Sequence, residues 1–229
     1  MSFLSYLING ISLGSIYAII ALGYTMVYGI ARMLNFAHGD IIMVGGFAIF
    51  TIVSTMGLPS LLGILVAVAV CTVLGVTIER VAYRPLRGAS SLAVLITAIG
   101  VSYLLQNVAL LIFGSNARQF TSVVTLPNLK LADGALTISS VTIVTIVSCI
   151  LIMIGLTSFI NKTKMGQAML AVSEDNGAAT LMGIDVNRTI AITFAIGSAL
   201  AAVAGALLCS TYPSLTPYTG SMPGIKAFV

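Results

Sequence analysis

Residues 60–79 read SLLGILVAVAVCTVLGVTIE. A helix needs about 20 mostly apolar residues to cross the hydrocarbon core of a bilayer, and this run has that length, with its only charge at the far end, Glu79. Working outward along the chain, five more segments have the same character, giving spans at about 6–30, 38–56, 60–79, 90–113, 138–160 and 189–211. Of the 229 residues, 59% are hydrophobic and only 7% charged, with a mean hydropathy of +1.12. A soluble domain carries about a quarter charged residues, so there is too little polar surface here to cover a globule in water. The apolar runs are continuous rather than alternating, which excludes transmembrane strands. The fold class is therefore all-α: a polytopic transmembrane helical bundle of at least six spans, forming a single domain over 1–229 with the bilayer as its main solvent. The closing GIKAFV starts an apolar run rather than finishing one, so the chain is expected to be incomplete at its C-terminus.

Residues 1–31 contain no charged side chain. A cleavable signal peptide needs a basic n-region and a shorter apolar stretch, so the first run reads as a retained span. The basic residues sort by loop. Arg32, Arg80, Arg84, Arg87, Lys162, Lys164 and Arg188 lie in alternate loops, against Arg118, Lys130 and Lys226 on the other side, seven against three. By the positive-inside rule the first set is cytoplasmic, which puts the N-terminus outside and makes 114–137 an exterior loop. Within that loop, Asp133-Gly134 reads as a turn. The net charge of +4 is thus topological and implies no nucleic-acid partner. Cys71, Cys149 and Cys209 sit far apart inside apolar runs and form neither a metal cluster nor a disulfide framework. A single histidine excludes an HExxH metal site, and no second aspartate lies in a span, so no catalytic residues are assigned and no enzyme activity is expected.

The inside segment 162–188, KTKMGQAMLAVSEDNGAATLMGIDVNR, is long for a connection. Met165, Ala168, Met169 and Val172 recur at three- and four-residue steps, one face of a short helix. Ser173-Glu174-Asp175-Asn176 supplies capping chemistry, Ala178, Ala179, Leu181 and Met182 suggest a second short helix, and Gly183 is placed to end it. On physical grounds, such a pair of amphipathic helices either docks a partner or lies on lipid headgroups. The carboxylates Glu174 and Asp175 tilt against an anionic leaflet.

Within that loop, EDNGAATLMGID (174–185) resembles the EAA-type coupling loop of ABC importer permeases, with Glu174, Gly177, Ala178, Ala179 and Gly183 at the matching positions and Asp175 and Asn176 within the same turn. Three further stretches, GYTMVYGIARMLNFAHGDIIMVGGF (23–47), ERVAYRPLRG (79–88) and NRTIAITFAIGSALAAVAGAL (187–207), together resemble the branched-chain amino acid permease of the Liv-type importer, the H subunit more than the M subunit. The resemblance covers nearly the whole chain. It implies a multi-pass protein of the cell inner membrane that translocates branched-chain amino acids. It also implies a second permease subunit, two cytoplasmic ATPase subunits and a periplasmic substrate-binding protein as partners, besides the lipid bilayer. No cofactor is expected on this subunit, since the partners use the ATP. The same family includes permeases for urea and short amides, and an ATP-independent facilitator is the rival mechanism.

The polar residues inside the spans carry the remaining signal. A charge at the bilayer centre costs about 2.5–3.5 kcal/mol or more, so Asp40 either sits at an interface or faces a polar interior. With Arg32 close by in sequence, His38 and Asp40 are expected near the inner start of span two, where Asp40 complements the helix dipole. Asn35, His38 and Asp40 are alternatively groups of a translocation path or gate. His38 and Asp40 are two residues apart and cannot share a helical face. Gly45-Gly46 signals either close helix packing or a discontinuous helix exposing backbone to substrate. Gln106 and Asn107, amides within span four, face the bundle to bond another helix or to line the path.

Overall fold

The computed structural model describes residues 2–124, 127, 129–131 and 136–228. The turn expected at Asp133-Gly134 lies outside these. Helix α1 covers Ser2–Ala31. Helix α2 covers His38–Phe50 and continues as a π turn over Thr51–Thr55. Helix α3 covers Ser60–Ile78 and runs on through a π turn, Glu79–Tyr83, and a 3-10 turn, Arg84–Leu86. It therefore extends past residue 79 and stops just beyond Pro85, whose ring cannot sit inside a continuing helix. Then come α4 (Ser91–Phe113), α5 (Ser140–Lys162), α6 (Lys164–Glu174), α7 (Asn176–Leu181), α8 (Val186–Thr211) and α9 (Ser221–Phe228). Among the described residues, six helical segments are long and apolar enough to cross a membrane: Tyr6–Ala31, His38–Thr55, Ser60–Leu86, Ser91–Phe113, Ser140–Lys162 and Val186–Thr211. Among the described residues there are also two small antiparallel strand pairs. Strand β1 (Arg118–Gln119) pairs with β4 (Ser214–Leu215), and β2 (Leu129–Leu131) pairs with β3 (Leu136–Ile138).

Small residues set the packing. Helix α8 is the central element and packs on α1, α2 and α3, with Gly197, Ser198, Ala201, Ala202 and Gly205 buried along it. A Cβ added to Gly205 would come 2.6 Å from the Ile42 carbonyl oxygen, so α2 and α8 are in backbone contact there. In lipid there is little hydrophobic drive between helices, and such close approach supplies the van der Waals attraction that holds a bundle together. Thr72, Thr193 and Ser210 return their hydroxyls to carbonyls four residues back, at 2.7–2.9 Å, which satisfies them without a partner helix. The outward faces of α4 and α5 stay apolar and exposed, with Leu111 at 84% and Leu151 at 64%, as a surface facing lipid tails requires. Helix α4 is held to the body by Phe113 stacked on Phe47 (centroids 4.1 Å apart) and by the side chain of Gln106.

Candidate translocation and coupling sites

Helix α2 begins half-way through the bundle, which corrects the expected placement of His38 and Asp40 near an end. The Ile41 carbonyl lies 3.5 Å from the Cys71 thiol, near the middle of α3. Asp40 meets Gln106 of α4, and the His38 ring lies beside Gly23 of α1 and Gly197 of α8, where a Cβ on Gly23 would be 3.1 Å from the ring. The physical reason is that the segment 32–37, RMLNFA, leaves α1 without helical structure and climbs back into the bundle. Coil advances by up to about 3.3 Å per residue against 1.5 Å in a helix, so the short coil at 32–35 can retrace about two turns of helix before the turn at 36–37. Hydropathy marks 31–37 only as a connection between two spans; it carries no information on how deep into the bundle that connection reaches.

A second helix starts at the same depth. From the end of α8 the chain passes through β4, with Leu215 fully buried against Gly46, and reaches Ser221 at the start of α9. The Ser221 hydroxyl lies 3.3 Å from Gln106 Nε2. The backbones of Gly39 and Gly220 touch: a Cβ on either would overlap the carbonyl group of the other. Two helix N-termini therefore meet mid-bundle, one reached from each end, and each presents the positive pole of its dipole.

Asp40 is the acid in that junction, in the first turn of α2 and 2% exposed. Gln106 Nε2 donates to Asp40 Oδ1 at 2.9 Å and also lies 3.2 Å from Ser102 Oγ. An amide nitrogen has two hydrogens for these three oxygen neighbours, so at most two accept from it at once, and each serine hydroxyl keeps its own hydrogen to donate. Among the described residues the one ion pair is between Arg87 and Glu79, so Asp40 is surrounded by amide and hydroxyl groups rather than by a cation. Asn107 does not join: its amide returns to the Tyr103 carbonyl at 2.7 Å. His38 points the other way, as two-residue spacing requires, and its Nε2 is buried without a hydrogen-bond partner. Asn35 accepts the Tyr83 hydroxyl at 3.0 Å, fastening the climbing segment to the end of α3. Helix α2 runs unbroken through Gly45 and Gly46. Gly45 faces Ala202, with an added Cβ 3.0 Å from its Cα, and Gly46 faces Leu215 and Cys209.

The segment 162–188 forms a helical hairpin at the Arg32 end of the bundle. Met169 and Val172 bury the face of α6 that the spacing marked. Thr163 caps α6, accepting from the Gly166 N–H at 3.0 Å and donating to the Phe159 carbonyl at 2.7 Å. Asp175 caps α7: its Oδ1 accepts from Gly177 (2.7 Å) and Ala178 (3.0 Å). The Ala178 and Gly177 amides favour the ionised form and hold this exposed carboxyl below the usual carboxylate range. Gly183, at φ +82°, follows α7 in the left-handed conformation. Ala179 is buried against the body, whereas Glu174, Asn176, Gly177 and Ala178 are exposed. Leu181 and Met182 stand 90% and 82% exposed at the tip, two large apolar side chains with nothing over them.

Sequence reasoning missed two contacts. Glu79, 1% exposed, pairs with Arg87, whose other nitrogen reaches Asn187 at the start of α8. An acid closing an otherwise apolar run was the available signal, since a charge buried there needs a partner. The second is Arg32, whose guanidinium reaches the Ser173 carbonyl on α6; nothing local marks a partner 141 residues away.

Residues 6–229 match the family described as the branched-chain amino acid transport system permease component. The chain is 43% identical over 238 residues to the high-affinity branched-chain amino acid transport system permease protein BraD of Pseudomonas aeruginosa, covering 99% of this chain and 77% of that protein. It is 41% identical over 242 residues to the corresponding LivH of Escherichia coli, with the same coverage. It is 30% identical over 217 residues to a probable LivH of Methanocaldococcus jannaschii, covering 92% of this chain and 67% of the relative. No solved structure matches. The chain belongs to the family of branched-chain amino acid transport permease components, and it is a polytopic helical membrane permease.

Proposed function

We propose that this permease is the membrane subunit of a binding-protein-dependent, ATP-driven importer of branched-chain amino acids in the cell inner membrane. The N-terminus lies outside, so the Arg32 end of the bundle faces the cytoplasm. Two cytoplasmic ATPases dock on the α6–α7 hairpins of this subunit and of a second permease, and a periplasmic binding protein delivers substrate to the opposite face. What supports this most is the exposure of Leu181 and Met182 at the tip of a hairpin whose inner face is packed on the bundle through Met169, Val172 and Ala179. A rigid, capped helix with an apolar tip suits a groove in a protein partner. Glu174 and Asp175 beside it disfavour an anionic lipid surface.

The substrate passes the junction of α2 and α9. A zwitterionic amino acid needs a group for each charge, and this junction offers a carboxylate at Asp40, amide and hydroxyl groups at Gln106 and Ser221, and the positive ends of two helices for a substrate carboxylate. Alternating access follows from movement of the hairpin relative to the bundle. The test is copurification with the partner ATPases and leucine uptake, comparing wild type with Glu174→Lys and Gly183→Lys. Both variants are expected to lose ATPase and uptake together. Unchanged association and uptake in both would contradict the docking assignment.

A further inference from the structure

Arg32 is the one non-glycine residue with a left-handed backbone among those described, at φ +52°, a conformation that residues with a Cβ seldom adopt. It ends α1 and starts the climbing segment that leads to His38. Its guanidinium turns outward to α6: Nη2 lies 2.6 Å and Nε 3.2 Å from the Ser173 carbonyl oxygen. That carbonyl belongs to the last turn of α6, where the helix supplies no N–H partner of its own and the dipole favours a cation. The Asp175 cap that starts α7 follows directly. The same climbing segment is held at its other end by Asn35 on Tyr83. Beside it lies a cavity of about 610 Å3, lined by Met33, Leu34, Leu86, Asn176, Thr180 and Ile190, which leaves room for the segment to shift.

We infer that Arg32 is the positioning residue that transmits displacement of the α6–α7 hairpin into the segment 32–37, and so to the start of α2 at His38 and Asp40. This inference rests on the reading of the hairpin as the ATPase docking element. Two N–H groups on one oxygen fix direction as well as distance, so the link carries a push and a rotation. Lysine offers a point charge without that fork and transmits less.

The experiment uses the whole transporter, reconstituted in lipid with its ATPases and binding protein, and compares wild type, Arg32→Lys and Arg32→Ala. ATPase association, basal ATP hydrolysis, stimulation of hydrolysis by substrate-loaded binding protein, and leucine uptake are measured on the same samples. Arg32→Ala is expected to keep its ATPases and to hydrolyse ATP within about twofold of wild type. Its uptake should fall at least tenfold and its stimulation should be lost, with Arg32→Lys intermediate. Uptake per ATP equal to wild type in Arg32→Ala overturns the inference. So does loss of ATPase association in that variant, which would make Arg32 part of the docking surface itself. Should Arg32→Ala fail to accumulate in the membrane, Arg32→Gln decides by the same comparison. Wild-type permease that binds no ATPase refutes the docking reading instead, so the two failures are distinct.

Discussion

Gln106 on α4 donates to Asp40 at the first turn of α2, 2.9 Å away, and lies 3.3 Å from Ser221 at the start of α9. One amide thus ties together three elements that enter the bundle from different directions. Gln106→Leu leaves a buried carboxyl without its amide donor, which costs on the order of 1–3 kcal/mol. Asp40→Asn keeps an oxygen acceptor and is expected to lose less. Thermal unfolding of the detergent-solubilised permease orders the variants: wild type first, Asp40→Asn second, Gln106→Leu last. A Gln106→Leu protein as stable as wild type would contradict this role.

The approach of Gly39 and Gly220 gives a steric prediction. A methyl group on either overlaps the other backbone, and overpacking of a tight core costs about 1–3 kcal/mol. Gly220→Ala is expected to separate α9 from α2 and to lower both stability and uptake. Gly14→Ala, where an added Cβ meets nothing within 4 Å, is the matched control and should change neither. Equal behaviour of the two variants would remove the backbone contact from the account.

Much of the bundle is legible in the sequence, and the reason is physical. Apolar runs such as 60–79 and 189–211 have to be helical in lipid because the backbone has no other way to satisfy itself. Capping chemistry at Asp175 and the glycine at 183 marked the hairpin for the same kind of local reason. The depth of His38 and Asp40 was not legible. It depends on how far the connection MLNFA (33–37) turns back into the bundle, which a hydropathy pattern does not report. The meeting of Gly39 with Gly220, and of Arg32 with Ser173, are long-range contacts with no local trace.

The buried pair of Glu79 and Arg87 makes a third prediction. Removing one partner strands a charge that is nearly out of reach of solvent, and breaking such a pair costs about 3–5 kcal/mol. Arg87→Met alone is expected to destabilise the permease strongly, whereas the double variant Glu79→Gln with Arg87→Met recovers most of the loss. Unfolding midpoints of the singles and the double form the cycle that measures this. Additive losses would contradict the pairing.

The α7 cap predicts a pH response. The carboxyl of Asp175 has its folded pKa lowered by the Ala178 and Gly177 amides, so its contribution is present above the unfolded carboxylate pKa and is lost as the pH falls through the lowered folded value. At neutral pH the cap is complete. Asp175→Asn retains a capping oxygen, and Asp175→Ala does not. Hydrogen exchange at Gly177 and Ala178, corrected for its intrinsic pH dependence, should quicken in Asp175→Ala at pH 7 and in wild type only in acid. Equal protection in wild type and Asp175→Ala at pH 7 would contradict the cap.

ATP-driven import is tested by uptake of labelled leucine into proteoliposomes holding this permease with the proposed second permease and ATPases, and the proposed binding protein outside. Leucine is expected to accumulate against a gradient, with ATP required and Gly183→Lys abolishing the accumulation. Leucine that equilibrates without ATP, or uptake unaffected by omitting the ATPases, would contradict ATP-driven import.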